Sequence, residues 1–282
     1  MRIDAHQHFW RYDPARHDWI TDEMRVLQRD YLPSDLRPEL KAAGIDASVA
    51  VQAVQSEDET NFLLDLAAAN QEIAGVVGWV DLRSPNLRAR LKHFSRFEKL
   101  RGFRHVAQSE PDDRFLLSED FLRGVAQLEE FGFSYDILIY PRQLPAAAEL
   151  VERFPRQRFV IDHLAKPLVR TRAIDPWSAY MRKIAARENV FCKLSGLVTE
   201  ADWEAWQPQD FKPYLDVVFE SFGPDRLMFG SDWPVCLLAA SYAWVHRLIA
   251  DYAASGCENI FGLNAARFYG LPVPAHGSAT QS

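Results

Sequence analysis

Met1-Arg2-Ile3-Asp4-Ala5-His6-Gln7-His8-Phe9-Trp10 opens the chain with a short apolar run that ends in His-x-His. As a strand over Ile3–His6 it alternates its side chains between two faces, which points His6 and His8 the same way. Two imidazoles at the mouth of a strand can hold a metal or polarise a carbonyl. Far downstream, Leu227-Met228-Phe229-Gly230-Ser231-Asp232-Trp233-Pro234 delivers a carboxylate off the end of another apolar run. Histidines on the first strand and an aspartate after the last imply a site gathered from several strands.

The residues between them alternate β-like runs with amphipathic stretches. Strands are expected at Ile3–His6, Ser48–Val54, Gly75–Val80, Gly102–His105, Ser134–Ile139, Arg158–Asp162, Val190–Lys193 and Leu227–Phe229. Helices are expected at Ser34–Ala43, Asp58–Asn70, Pro85–His93, Glu119–Phe131, Leu144–Phe154, Pro176–Arg187, Phe211–Phe222 and Ser241–Ala254, with a closing helix over Glu258–Tyr269. Ser34 suits an N-cap, and Gly44 and Gly132 suit C-caps. Strands alternating with helices predict parallel βα units, closed as a (β/α)8 TIM-type barrel of about 250 residues. The 282-residue chain fits one such domain over residues 1–271, followed by a flexible tail at 272–282. An aromatic-rich insertion, residues 9–33 with Phe9, Trp10, Tyr12, Trp19 and Tyr31, follows the first strand and is a candidate pocket wall or lid. No Gly-x-Gly-x-x-Gly follows that strand, so a dinucleotide sheet has no support.

A net charge of −7 argues against nucleic acid and polybasic membrane contacts as partners. No apolar stretch is long enough to span a membrane and the N-terminus lacks a signal-peptide pattern, so a cytoplasmic protein is expected. Cys192, Cys236 and Cys257 lie far apart and form no Cys-x-x-Cys, which leaves neither a zinc knuckle nor a disulfide framework. Oligomeric state is open, and a homo-oligomer is compatible with the sequence.

In this architecture catalytic groups come from the C-terminal ends of the strands. Those ends carry His6 and His8, then Gln52, then Trp79 and Asp81, then Arg104 and His105. Next come Tyr135 and Asp136, Asp162 and His163, Lys193, and finally Asp232 with Trp233. Asp232, His6, His8 and His163 are the catalytic candidates. Trp10, Gln52, Arg104, His105, Lys193 and Trp233 are the substrate-binding candidates. His6, His8 and Asp232 make a credible three-ligand site for one zinc ion with an open position.

Asp4-Ala5-His6-Gln7-His8, Asp162-His163-Leu164-Ala165-Lys166-Pro167, Gly230-Ser231-Asp232-Trp233-Pro234 and Asn259-Ile260-Phe261-Gly262-Leu263-Asn264-Ala265 occur in this order along nearly the whole chain. Together they resemble the amidohydrolase superfamily, and more narrowly its lactonase-like branch of fuconolactonases, rhamnonolactonases and 2-pyrone-4,6-dicarboxylate lactonase. The resemblance implies that His6, His8, His163 and Asp232 face one pocket. Binuclear members also need a fourth-strand carboxylated Lys or Glu and a fifth-strand His. Here those strands offer Arg104, His105, Tyr135 and Asp136, which fits metal-independent lactonases instead.

Lactone esters are activated, so hydrogen-bond donors aimed at the carbonyl can serve as the electrophile. His6, His8 and His163 are then the donors and Asp232 the base that activates water, with no cofactor required. A dicarboxylate would demand several arginines. One good arginine, Arg104, beside Gln52, Lys193 and tryptophans suits a neutral sugar lactone, an aldonolactone such as L-fuconolactone. The rival readings are a zinc-dependent decarboxylase or amide hydrolase on the same barrel, and a catalytically silent sugar-binding barrel.

Overall fold

A computed structural model describes residues 1–253 and 258–272. Cys257, the last residue of the expected eighth helix at Ala254, and the expected flexible tail beyond Pro272 lie outside the described residues. The strands are β1 (Ile3–Gln7), β2 (Ala47–Val51), β3 (Ile73–Gly78), β4 (Leu100–His105), β5 (Ser134–Ile137), β6 (Phe159–Ile161), β7 (Val190–Leu194) and β8 (Leu227–Phe229). Each pairs in parallel with the next in chain order, which makes one eight-stranded sheet. Just past β8 the sheet returns to β1: Asp232 N donates to His6 O at 2.8 Å and His8 N to Trp233 O at 2.7 Å. The expected (β/α)8 barrel is the observed one.

Helices follow the strands as α1 (Pro33–Ala43), α2 (Glu57–Ala69), α3 (Leu87–Phe94), α4 (Glu119–Phe131), α5 (Leu144–Arg153), α6 (Trp177–Ala185), α7 (Pro208–Phe222) and α8 (Tyr242–Ala253). The first does not start with Ser34 as its cap. Pro33 occupies the first turn, where its missing N–H costs nothing, and Asp35 Oδ2 accepts the Leu32 N–H at 2.9 Å. Gly44 ends α1 and Gly132 ends α4, both left-handed, with φ of 66° and 73°. The expected closing helix is split. A wide turn over Asn259–Leu263 leads into α9 (Asn264–Tyr269).

Two apolar layers hold the strands. Outward-facing residues such as Phe103, Tyr135, Ile161 and Phe229 pack under the helices in one large buried cluster. A smaller cluster of Ile3, Ala5, Val49, Val51, Val77, Val160 and Met228 meets Phe268, Tyr269 and Leu271 of the closing segment. Val160 is in register with Asp136 and Met228 with Lys193, so this cluster fills the interior below those charged residues. The closing segment therefore plugs the N-terminal end of the barrel, and the other end is left for a site.

The insertion after β1 folds back on itself. Trp10 and Tyr31 exchange backbone hydrogen bonds at 3.0 and 2.9 Å, and Trp10 Nε1 donates to Arg29 O at 2.9 Å. Tyr31 and Phe9 then pack edge-on against Trp233, with ring centres 5.1 and 6.2 Å away. The aromatic content that marks the insertion is thus spent on fastening it to the residue after Asp232.

Candidate active site

Three imidazoles surround one carboxylate oxygen. Asp232 Oδ1 lies 3.2 Å from His8 Nε2, 3.7 Å from His6 Nε2 and 3.9 Å from His163 Nε2. His6 and His8 converge with Nε2 atoms 3.2 Å apart, although β1 is not regular there: its register shifts between Asp4 and Gln7. All four groups are buried. Burial lowers the His163 imidazole to about 4, and it lowers His6 well below its usual value, aided by the Lys193 ammonium. Burial alone would raise the Asp232 carboxyl, but the surrounding imidazoles reverse this and hold it below the ordinary carboxylate range. At neutral pH these shifts leave His6 and His163 as neutral imidazoles beside an ionised Asp232.

The backbone is strained where this chemistry sits. Asp232 has φ of 56°, and His163, Leu164, Ala165 and Lys166 have φ of 53°, 52°, 56° and 50° in succession. Left-handed backbone costs L-residues roughly 1–2 kcal/mol each, so packing around these two strand ends must hold them there. Gly196 is part of that packing. Its φ is +62°, and a Cβ there would come within 2.5 Å of His163 Nδ1. Gly230 is equally confined, since its Cβ would meet that of His6 at 2.6 Å.

Partner atoms decide which nitrogens carry protons. His8 Nδ1 is 2.7 Å from Val51 O, a group that only accepts, so this nitrogen donates. The lone pair of neutral His8 then faces Asp232 from Nε2. A proton or a divalent cation between them satisfies both. His163 Nδ1 is 2.9 Å from Ser195 Oγ, and a donated serine hydroxyl leaves the proton on Nε2, aimed at the cluster. Below His6, Lys193 Nζ donates to Asp136 Oδ2 at 2.6 Å and sits 2.9 Å from Asp162 Oδ1, while His6 Nδ1 lies 3.1 Å from Lys193 Nζ and 3.4 Å from Asp162 Oδ1. Arg104 Nη1 donates to Asp162 Oδ2 at 3.0 Å and reaches within 3.3 Å of His6 Nε2. Burial works against ionised Asp162, yet Lys193, His6 and Arg104 keep its carboxyl well below the usual value.

This donor set fits one metal ion. Ligand atoms of His6, His8 and Asp232 lie within 4.8 Å of one another, and His8 already uses its second nitrogen on a carbonyl, as metal-ligating histidines do. His6, Asp162 and His163 are grouped as closely, but Lys193 and Arg104 neutralise Asp162. Asp136, the fifth-strand carboxylate, is likewise taken by Lys193 and by Tyr269 Oη at 2.7 Å. A second ion has no free ligand set among the described residues.

The substrate-binding candidates divide. Trp233 borders Asp232, and Arg104 touches His6. Gln52 Nε2 donates to Arg104 O at 3.1 Å while Arg104 Nη2 donates to Gln52 O, so the two clasp each other across β2 and β4. Lys193 lies beneath His6, fully buried, and not where a substrate reaches it. Trp10 is buried inside the insertion. His105 is not brought to the cluster at all: strand alternation sends Arg104 inward and His105 outward, where it stacks on Phe115 and bonds Glu110 at 2.7 Å. Ser195 escaped the sequence reading, although it sits two residues after Lys193 and so shares its strand face.

Glu59 also escaped it. This buried carboxyl on α2 accepts the Ala53 N–H at 3.1 Å, beside the loop after β2, and burial pushes it up to about 7, against the pull of that hydrogen bond, Arg16 and Arg104. The folded protein therefore binds this proton more tightly than the unfolded chain, whose carboxyl titrates near 4.5. Its contribution to stability is complete below 4.5 and is lost as pH rises through 7. Glu59→Gln should unfold at a higher temperature than the parent at pH 8 but not at pH 4.5. The gain at pH 8 is on the order of 3 kcal/mol at about 1.4 kcal/mol per pH unit. Melting curves at the two pH values check this, and a pH-independent difference would refute it.

Comparison with known proteins matches this architecture. A family model described as amidohydrolase spans residues 3–271. The chain is 48% identical to an L-fucono-1,5-lactonase of Burkholderia multivorans, over 98% of both chains. It is 36% identical to an L-fucono-1,5-lactonase of Burkholderia ambifaria, over 98% of this chain and 97% of that one. A crystal structure of a Burkholderia multivorans amidohydrolase with bound zinc superposes with a TM-score of 0.93 at 48% identity, covering 96% of this chain and 100% of that one.

Proposed function

Because this chain belongs to the amidohydrolase family, we propose that it is a hydrolase that opens a sugar-derived lactone, an aldonolactone such as L-fuconolactone, to the free sugar acid. The observation that carries this reading is the single carboxylate oxygen of Asp232 set among His6, His8 and His163. The full-length likeness to two fuconolactonases supports it. Arg104 supports the choice of a neutral substrate. Its guanidinium is already occupied by Asp162 and the Gln52 carbonyl, which leaves no free fork for a substrate carboxylate.

The residues divide the reaction between them. Asp232 takes a proton from water as its oxygen adds to the lactone carbonyl carbon, and returns that proton to the ring oxygen as the ring C–O bond breaks. Nε2–H of His163 donates to the carbonyl oxygen as negative charge builds there. His6, fixed from below by Lys193, presents Nε2 to the same space. His8 joins as a donor when it is an imidazolium, since its Nδ1 proton is engaged by Val51. His6, His8 and Asp232 would hold a divalent ion, whose chemistry is to polarise the carbonyl and to lower the pKa of water.

The test is proton release from a panel of aldonolactones, including L-fucono-1,5-lactone, with zinc content assayed before and after chelation. Turnover is expected to persist once zinc is removed. Loss on stripping with recovery on added zinc would make the three residues ligands first. No turnover on any lactone would overturn the reading in favour of the decarboxylase, amide-hydrolase or silent-barrel alternatives.

A further inference from the structure

The left-handed turn over His163–Lys166 carries a charged side chain, Lys166, besides His163. Lys166 N donates to His163 O at 2.7 Å, closing a tight turn in which residues three apart share one side. The Lys166 ammonium lies 3.5 Å from Glu200 Oε1, and both side chains remain 18% exposed. The Tyr140 ring, with its centre 5.4 Å from that ammonium, borders them. Glu200 ends a short turn, Val198–Glu200, in the same loop after β7 that brings Ser195 and Gly196 against His163. The pair is close enough to the cluster to act on it electrostatically: Lys166 on His163, and Asp232 on Glu200.

Its geometry suits a ligand better than a strut. A separation of 3.5 Å is long for a hydrogen bond, and Lys166 Nζ and the Glu200 carboxylate have no other side-chain hydrogen bond among the described residues. The ammonium has donors to spare and the carboxylate has acceptor sites to spare. Two neighbouring hydroxyls on a sugar ring, each able to donate and accept, match a donor and an acceptor held side by side.

We propose that Lys166 and Glu200 form a specificity site that binds a vicinal hydroxyl pair of the lactone substrate, with Tyr140 bordering it. This assignment rests on the lactonase reading. It also limits the substrate class to lactones with adjacent ring hydroxyls on the side facing the loops after β6 and β7.

The test compares L-fucono-1,5-lactone with unsubstituted δ-valerolactone in the wild type, Lys166→Met and Glu200→Gln. Each substitution should raise KM for the sugar lactone about 10- to 100-fold, the worth of a hydrogen bond to a charged group, with kcat changed less than about threefold. KM for δ-valerolactone should move far less, so the wild-type preference for the hydroxylated ring collapses. Equal losses on both lactones would make the pair a support of the turn and overturn the assignment, as would an unchanged KM for the sugar lactone. A wild type that turns over neither lactone overturns the parent reading instead. Should one variant fail to fold, the other carries the same comparison.

Discussion

Asp232→Asn should lower kcat for lactone hydrolysis about 10³-fold while leaving the protein folded, within the 10²–10⁴ that a positioned base contributes. The substitution is chosen for its backbone as much as for its chemistry. Asp232 sits at φ of 56°, a region that asparagine tolerates and most other residues do not. Its N–H donates to His6 O, and that bond survives. What disappears is the ability to accept and return a proton. The loss should therefore fall on kcat, with KM changed little and the melting temperature close to the parent's. A variant within tenfold of wild-type kcat would remove Asp232 from the role of base.

The second large effect is on stability. Lys193 is fully buried between Asp136 and Asp162 and supports His6 from below. Lys193→Met keeps much of the side-chain volume but strands two carboxylates in the barrel interior. Breaking a buried pair by removing one partner costs about 3–5 kcal/mol, which for a domain of this size lowers the melting temperature by on the order of 10 °C. Asp162 retains Arg104, so the damage centres on Asp136, whose carboxyl burial already raises to about 6. Without Lys193 the folded state favours protonated Asp136 still more. The deficit should then grow as pH rises from 5 to 8, and adding Asp136→Asn should recover part of it. A Lys193→Met protein that melts like the parent at pH 8 would mean that the ammonium carries no net load.

The barrel was legible because its signals are local and repeated. Short β-branched runs, amphipathic helices and left-handed glycines such as Gly44 and Gly132 each constrain the chain independently. Strand ends were harder. The apolar run of the second strand continues to Val54, yet the strand stops at Val51: Gln52 N makes a last bond to Val77 O of β3, and the Ala53 N–H turns to the Glu59 carboxyl on α2. The histidine and aspartate cluster came from motifs at strand ends and is found together. His105 shows the limit. Strand phase decides whether a residue faces the barrel or the helices, and a six-residue strand with glycine in it carries no clear phase marker. Lys193 shows another, since depth along the barrel axis depends on how far each strand is staggered. Glu200 had no signal at all, because its proximity to Lys166 arises only when two separate loops meet.

The bonds from Asp232 to His6 and from His8 to Trp233 join the first barrel strand to the segment just past the last. During synthesis, then, the ribosome releases the histidine pair long before its carboxylate, and every intermediate length of nascent chain is chemically incomplete. Activity should appear abruptly, only after the segment through Trp233 has docked and the closing segment with Tyr269 has plugged the opposite end. Turnover in a growing or truncated chain would thus report that the cylinder has shut, making the reaction itself a readout of the last step of assembly.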